Sequence, residues 1–224
     1  MIVLDGTLAR FMGLGPKTYL AVATQLDPWP LGVGVALSPW WVIRMSWIVF
    51  AVVWFVAALN RKRTDHRDPL QRRLFYVLFM TAAFFLLVGY FAPTAFLERR
   101  AWPDAFWIAQ VGATLTAAGI GFAIWARIHI GRNWSGQVMI KQDHELIRTG
   151  PYSRIRHPIY TGLLLALLGT AFAMGQYRAI LGFVLIAVGF IYKAKREEQL
   201  LTEHFGPAFD EHKRHTGFFL PRLS

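Results

Sequence analysis

The sequence predicts an all-α, polytopic membrane protein with about five transmembrane helices, the last two a helical hairpin, followed by a cytosolic C-terminal helical tail. Three observations carry this reading. The 224 residues are 55% hydrophobic and 15% aromatic. Three uncharged runs, at 74–92, 105–126 and 158–177, approach or exceed the ~20 residues that cross a bilayer. Lys and Arg are segregated: 18 fall in 60–73, 127–157 and 193–224, against 5 in the N-terminal segment, 93–104 and 175–178. Positive charge prefers the cytoplasmic side, so the N-terminus is expected outside and the C-terminus in the cytosol. The expected setting is a bacterial inner membrane.

Taken in order, residues 1–38 read as a partly interfacial segment, because Asp27-Pro28-Trp29-Pro30 breaks a mildly apolar run. Trp29, Trp40 and Trp41 suit the headgroup layer, where an amphipathic ring keeps one wet side. Arg10 and Lys17 flank no apolar core with a cleavage site, so no signal peptide is expected and the first span, 40–59, inserts the chain. Arg44 lies near enough to its end to snorkel, and Asn60-Arg61-Lys62-Arg63 stops it. The second span, 74–92, ends at Pro93. Asp104 is expected to cap the third, 105–126, whose Ala113, Ala117 and Gly121 form an i, i+4, i+8 stripe for close helix packing.

A polar stretch, 127–157, leads into a helix at 158–174. Pro158 suits its first position, where no N–H is needed, and Gly150-Pro151 is turn chemistry. Gly175-Gln176-Tyr177-Arg178 turns the chain, 179–192 returns, and the tail from Lys193 has helical character up to a stop at Phe205-Gly206-Pro207. Phe218-Phe219-Leu220-Pro221 is expected to lie back on the membrane. The whole chain, 1–224, is read as one integral-membrane domain, with spans in 1–126 and the motifs in 127–224.

Composition also excludes chemistry. No cysteine means no disulfide, thiolate catalysis or cysteine-ligated metal. His144 and His157 have no metal-binding helical spacing, so no metal is expected. There is no GxSxG, P-loop or GxGxxG. A net charge of +11 in a membrane protein reports orientation and contact with anionic lipid, not nucleic acid.

The expected topology brings 127–157 and the tail together at the cytosolic face. That constellation holds His144, Arg148, Tyr152, Arg154, Arg156, His157, Tyr160, Lys193, Arg196, Glu197 and Glu198. A basic collar on anionic lipid explains the arginines. It does not explain adjacent Glu197-Glu198 at a helix exit, where acid opposes the dipole, nor two histidines and two tyrosines around a Gly-Pro turn. A ligand site does.

The run Gly131-Arg132-Asn133-Trp134-Ser135, then His144-x-Leu146-Ile147-x-x-Gly150-Pro151-Tyr152, then Arg156-His157-Pro158-x-Tyr160, resembles the isoprenylcysteine carboxyl methyltransferase family, which is similar to the phospholipid methyltransferases. Glu197-Glu198-x-Leu200, Phe205-Gly206 and Phe209 fit as well. The resemblance covers about 127–221 and implies S-adenosylmethionine as cofactor. Gln137, His144, Glu145, Leu146, Ile147, Tyr152, His157, Pro158, Ile159, Tyr160 and Glu197 would hold it, and Lys193, Arg196 and Glu198 would serve the acceptor and catalysis. Where the resemblance implies an arginine to receive a substrate carboxylate, this chain has Lys193, a point charge without a bidentate fork. The implied activity is methyl transfer to a lipophilic acceptor, an isoprenylcysteine-type carboxylate or a phospholipid-like molecule, at the cytosolic membrane face. The alternatives are an NADPH-dependent sterol-type reductase and a non-catalytic membrane subunit of the same fold. Expected partners are the lipophilic substrate and membrane lipids.

Overall fold

The computed structural model describes residues 38–59, 70–89, 94–131 and 146–222. Among these, the regular structure is helical, with two isolated bridges and no strand. The helices are α1 (Pro39–Leu59), α2 (Leu70–Val88), a single turn α3 (Ala95–Glu98), α4 (Phe106–Ile130), α5 (Pro158–Met174), α6 (Tyr177–Phe205) and α7 (Pro207–His215). A 3-10 turn at Gly150–Ser153 lies between α4 and α5. Pro39–Ala57, α4 and α6 are long and apolar enough to cross a bilayer, and Leu74–Val88 and α5 are shorter apolar helices. The protein is an integral membrane protein. The expected interfacial segment at 1–38 lies outside the described residues except for Ser38.

The helices pack in an open series: α1 on α4, α4 on α5, α5 on α6 and α6 on α2. The closest approach is between α4 and α5. A Cβ on Gly162 would stand 2.6 Å from the backbone nitrogen of Ala123, and one on Gly112 would stand 2.5 Å from the Gly169 carbonyl. Only glycine allows the two backbones to meet in this way, as small residues do between membrane helices. Of the expected stripe of Ala113, Ala117 and Gly121, Ala113 is buried with Ile43 of α1 and Ala173 of α5, but the closest α4–α5 approach is made by Gly112, Thr116, Gly119 and Ala123. Gly121 faces open space, with nothing within 4 Å of its would-be Cβ. Thr116 and Thr170 bridge hydroxyl to hydroxyl at 3.2 Å inside this contact, and Trp47 of α1 donates its indole N–H to Thr170 at 3.1 Å.

Other boundaries also moved. α2 ends at Val88, before the expected residue 92, because Gly89 turns with φ 92°. There the Arg178 guanidinium donates to the carbonyls of Leu87 at 2.7 Å and Leu86 at 3.4 Å. Asp104 caps nothing: Ala105 is the N-cap of α4, and Asp104 pairs with Arg100 at 3.2 Å instead. Pro158 does open α5, and Gly206-Pro207 does end α6 and open α7. α5 and α6 are joined by the tight turn at Gly175-Gln176, but α5 packs mainly on α4 and α6 mainly on α2. α6 runs unbroken from Tyr177 to Phe205, so Glu197 and Glu198 lie inside a helix rather than at its exit. The dipole argument for their oddity does not hold, and their partners explain them instead.

Candidate active site

The site lies where the N-terminus of α5 meets the second half of α6. Pro158 fixes the start of α5, so His157 and Tyr160 stand one turn apart on the side facing α6, their rings stacked at 5.7 Å. Glu197 receives the Tyr160 hydroxyl at 2.7 Å, and its other oxygen lies 3.7 Å from His157 Nδ1. Glu198 Oε1 accepts from Arg156 Nε at 2.6 Å and lies 3.2 Å from His157 Nε2. One histidine ring thus bridges two adjacent carboxylates, which bolts the loop before α5 to α6. The side chains of His157, Arg156, Glu198 and Glu197 are only 6%, 14%, 18% and 22% exposed, so these contacts are made largely away from water.

Lys193, one turn before Glu197, lies 4.0 Å from its Oε1. The ammonium also stands 5.4 Å from the centroid of Tyr160 and 5.7 Å from that of Tyr76, which arrives from α2. Phe190 stacks on Tyr160 at 5.0 Å and helps hold that ring in place.

The tail, expected to lie back on the membrane, closes over this cluster. Ile155 and Gly217 form a parallel bridge. Arg156 N–H donates to the Gly217 carbonyl at 2.9 Å, His157 N–H to Phe218 at 3.2 Å, and the Thr161 hydroxyl to Phe219 at 2.6 Å. Arg156 Nη1 donates to the Thr216 carbonyl. Phe218 and Phe219 then meet the His157 ring edge-on at 5.0 and 6.1 Å. The backbone carbonyls of 216–219 thus find donors on the loop before α5 and on its first turn.

Of the residues singled out from the sequence, the structure brings together His157, Tyr160, Lys193, Glu197 and Glu198, with Arg156 beside them. Pro158 and Ile159 shape the start of α5, and Ile159 is buried with Tyr152 and Ala126, against which Ile147 packs. Tyr152 is a buried anchor of the 3-10 turn, its hydroxyl reaching the Ala126 carbonyl at 3.4 Å. Burial, with the Glu197 charge nearby, pushes its phenol up, so it stays protonated. Gly150, with φ 58°, admits the His129 ring, whose Nε2 meets the Thr149 hydroxyl at 2.8 Å. Leu146 is described but is not part of the cluster around Glu197. Arg196 donates to Gln199 at 2.6 Å. Gln137, His144 and Glu145 lie outside the described residues. Tyr76, Phe190 and Thr216–Phe219 were not anticipated. The only sequence signal for the last was a short apolar segment too brief to span and already flanked by Gly and Pro.

A carboxylate, a phenol and two ring faces around one ammonium form a donor set suited to an organic cation, and so suit a sulfonium cofactor. Residues 107–208 match the family model for phospholipid methyltransferase. All of the cluster except Arg156's tail partners and Tyr76 falls within this stretch. The chain is 33% identical over 124 residues to the cobalt-zinc-cadmium resistance protein CzcN of Cupriavidus metallidurans, covering 54% of each. It spans about half the length of that relative. It is 24% identical over 222 residues to protein-S-isoprenylcysteine O-methyltransferase of Xenopus laevis, covering 95% of this chain and 72% of the relative. Its fold is that of a eukaryotic intramembrane Ras methyltransferase, the isoprenylcysteine carboxyl methyltransferase, with a TM-score of 0.55, 16% identity and coverage of 99% and 86%. The resemblance read from the motifs is borne out.

Proposed function

We propose that the protein is an S-adenosylmethionine-dependent membrane methyltransferase for a lipophilic acceptor. The observation that carries this is the convergence of Glu197, Tyr160, His157 and Lys193 at one end of the α5–α6 pair, inside the family-matched stretch. S-adenosylmethionine, when bound, supplies an electrophilic methyl: the acceptor's lone pair bonds to the methyl carbon as the carbon–sulfur bond breaks and its electron pair stays on sulfur as a neutral thioether. Such a displacement needs alignment more than acid or base, so positioning residues set the rate.

In this reading Glu197 and the Tyr160 ring attract the positive end of the cofactor. His157 orients Glu197, and Glu198 with Arg156 holds His157 in place. Lys193, once it leaves Glu197, and Arg196 receive an anionic group of the acceptor, while its tail stays among the helices. Gln137, His144 to Ile147 and Tyr152 complete the cofactor-binding face. Five spans, with the site and C-terminus cytosolic, fit the 18-to-5 distribution of Lys and Arg.

The test is purified protein with methyl-labelled S-adenosylmethionine and a panel of lipid acids, amines and thiols. Label transfer to one class is expected. Tight NADPH binding with no affinity for S-adenosylhomocysteine would replace the methyltransferase reading with a reductase. A reporter fused after Ser224 should be cytosolic and one within 93–104 external; the reverse sinks the topology.

A further inference from the structure

The second and third walls of the Lys193 site need an explanation that a salt bridge alone does not provide. A lysine that only anchors a helix end extends its ammonium to water, and its neighbours are incidental. Here the side chain is 12% exposed, and its ammonium is held between two tyrosine faces, each within the ~6 Å at which a ring attracts a cation. Tyr160 is fixed twice, by the stacked Phe190 ring and by the hydrogen bond from its hydroxyl to Glu197. Glu197 gives the cage its negative charge. Tyr76 comes from a helix that carries no family motif and lies before the matched stretch. The cage is therefore assembled from both halves of the chain around one positive charge.

We infer that Tyr76, Tyr160 and Glu197 form a cation subsite that the chain's own Lys193 fills until the cofactor's sulfonium competes for it. The inference rests on the methyltransferase reading and deepens it. Two monocations cannot share one carboxylate and one pair of ring faces at low cost, because like charges at such range repel strongly away from bulk water. A lysine is built to yield: its charge rides on a flexible four-carbon stem. Released from the cage, Lys193 becomes available to an anionic group on the acceptor. Cofactor binding then prepares the acceptor site, and the order of binding is written into the position of one ammonium.

S-adenosylmethionine and S-adenosylhomocysteine separate this from a plain salt bridge. They share the nucleoside and the amino acid and differ by one methyl and one positive charge. Calorimetry on the full chain in detergent would measure both affinities for the native protein and for Lys193→Met and Lys193→Gln. Removing the competitor should tighten S-adenosylmethionine by about fivefold or more while S-adenosylhomocysteine stays within about twofold, the scale of a desolvated cation–ring contact. Tyr76→Leu should weaken S-adenosylmethionine alone, and Tyr76→Phe, which keeps the ring, should not. If both Lys193 variants leave the ratio of the two affinities unchanged, or weaken both ligands equally, the competition is refuted while the cofactor reading stands. If the native protein binds neither ligand, the cofactor reading fails and this inference fails with it.

Discussion

The two ends of the α5–α6 pair are built alike and used differently. At the end away from the site, residues 99–101 pair with 175–177, through an Arg100–Gln176 bridge and bonds from Ala101 to Gly175 and Tyr177 to Arg99 at 2.7 and 3.1 Å. At the site end, 154–157 pair with 217–218, but through a parallel bridge where the other is antiparallel. Each end has one buried or half-buried arginine donating to distant backbone carbonyls: Arg178 to Leu86 and Leu87, Arg156 to Lys213 and Thr216. The difference lies in what surrounds the arginine. Arg178 spends its donors on backbone, on Gln176 and on Glu98, which is 46% exposed, and Glu98 is the one charged partner among its described contacts. At the site end two carboxylates, an imidazole, a phenol and an ammonium face one another with ring faces on either side. Groups aimed at backbone hold a fold together. Groups aimed at one another, with a carboxylate among aromatic faces, can exchange one of their number for a ligand.

The largest expected effect tests the structural end. Arg178→Ala leaves the α2 carbonyls of Leu86 and Leu87 without their donor and frees the turn between α5 and α6. It should cost roughly 2–4 kcal/mol of stability. Thermal unfolding in detergent should shift down by many degrees, while S-adenosylhomocysteine affinity of the folded fraction is retained. A selective loss of affinity would show that this end also serves the ligand.

Glu197→Ala tests the other end and should do the opposite. Removing a well-placed charged partner typically costs a few kcal/mol of binding, so cofactor affinity should fall by roughly tenfold to several hundredfold. Thermal stability should move far less than in Arg178→Ala. Unchanged affinity in a folded variant removes Glu197 from the site and leaves the two ends equivalent.

Much of the site end was legible in the sequence because it is contiguous. Arg156-His157-Pro158-x-Tyr160 is read off one loop, Pro158 announces the helix start, and Glu197-Glu198 lies just past an apolar run. The α4–α5 contact was not legible in detail. α4 carries small residues at several phases, Gly112, Ala113, Ala117, Ala118, Gly119 and Gly121, and is apolar on most sides, so its sequence offers no single preferred face. Gly112 and Gly119 are chosen by the complementary Gly162 and Gly169 on α5, a property of the pair. Tyr76 was invisible for a similar reason: it is one of several aromatics on a lipid-facing helix, and only the placement of α2 against α6 selects it. The contact of the tail with the site was not legible because an apolar four-residue segment fits a membrane surface and an aromatic site equally well by composition.

A smaller effect sharpens the role of that tail. Thr161→Val removes the hydroxyl that donates to the Phe219 carbonyl at 2.6 Å and keeps the shape of the side chain. The loss of one such bond should cost about 1 kcal/mol. If the tail closes the site, cofactor affinity should drop by roughly threefold to tenfold, with the excess visible as faster cofactor dissociation. A change in stability with identical dissociation would make the tail a fastening only, like the turn at the other end.

The smallest effect separates the ends by pH. His212 is buried in α7, in contact with the Phe209 ring. Burial holds its pKa below the ordinary 6.5, and the nearby positive charges of Arg148, Arg156 and His215 act in the same direction, against the single opposing charge of Glu198. The fold therefore prefers neutral His212. The stability tied to this preference is fully present above the ordinary pKa and is lost as pH falls from about 6.5 through the lower folded-state value. Titrating the thermal midpoint from pH 7.5 to 5 should show a decline that His212→Gln flattens, since glutamine never charges. The decline should carry with it the protection of the 216–219 backbone amides, because the Thr216 hydroxyl donates to the His212 carbonyl at 2.6 Å and starts the tail's return to the site. The turn at 99–101 and 175–177 has no buried histidine among its described contacts, so its amides should keep their protection over the same range. Equal loss at both ends would mean that the pH response is global, and that the tail has no opening of its own.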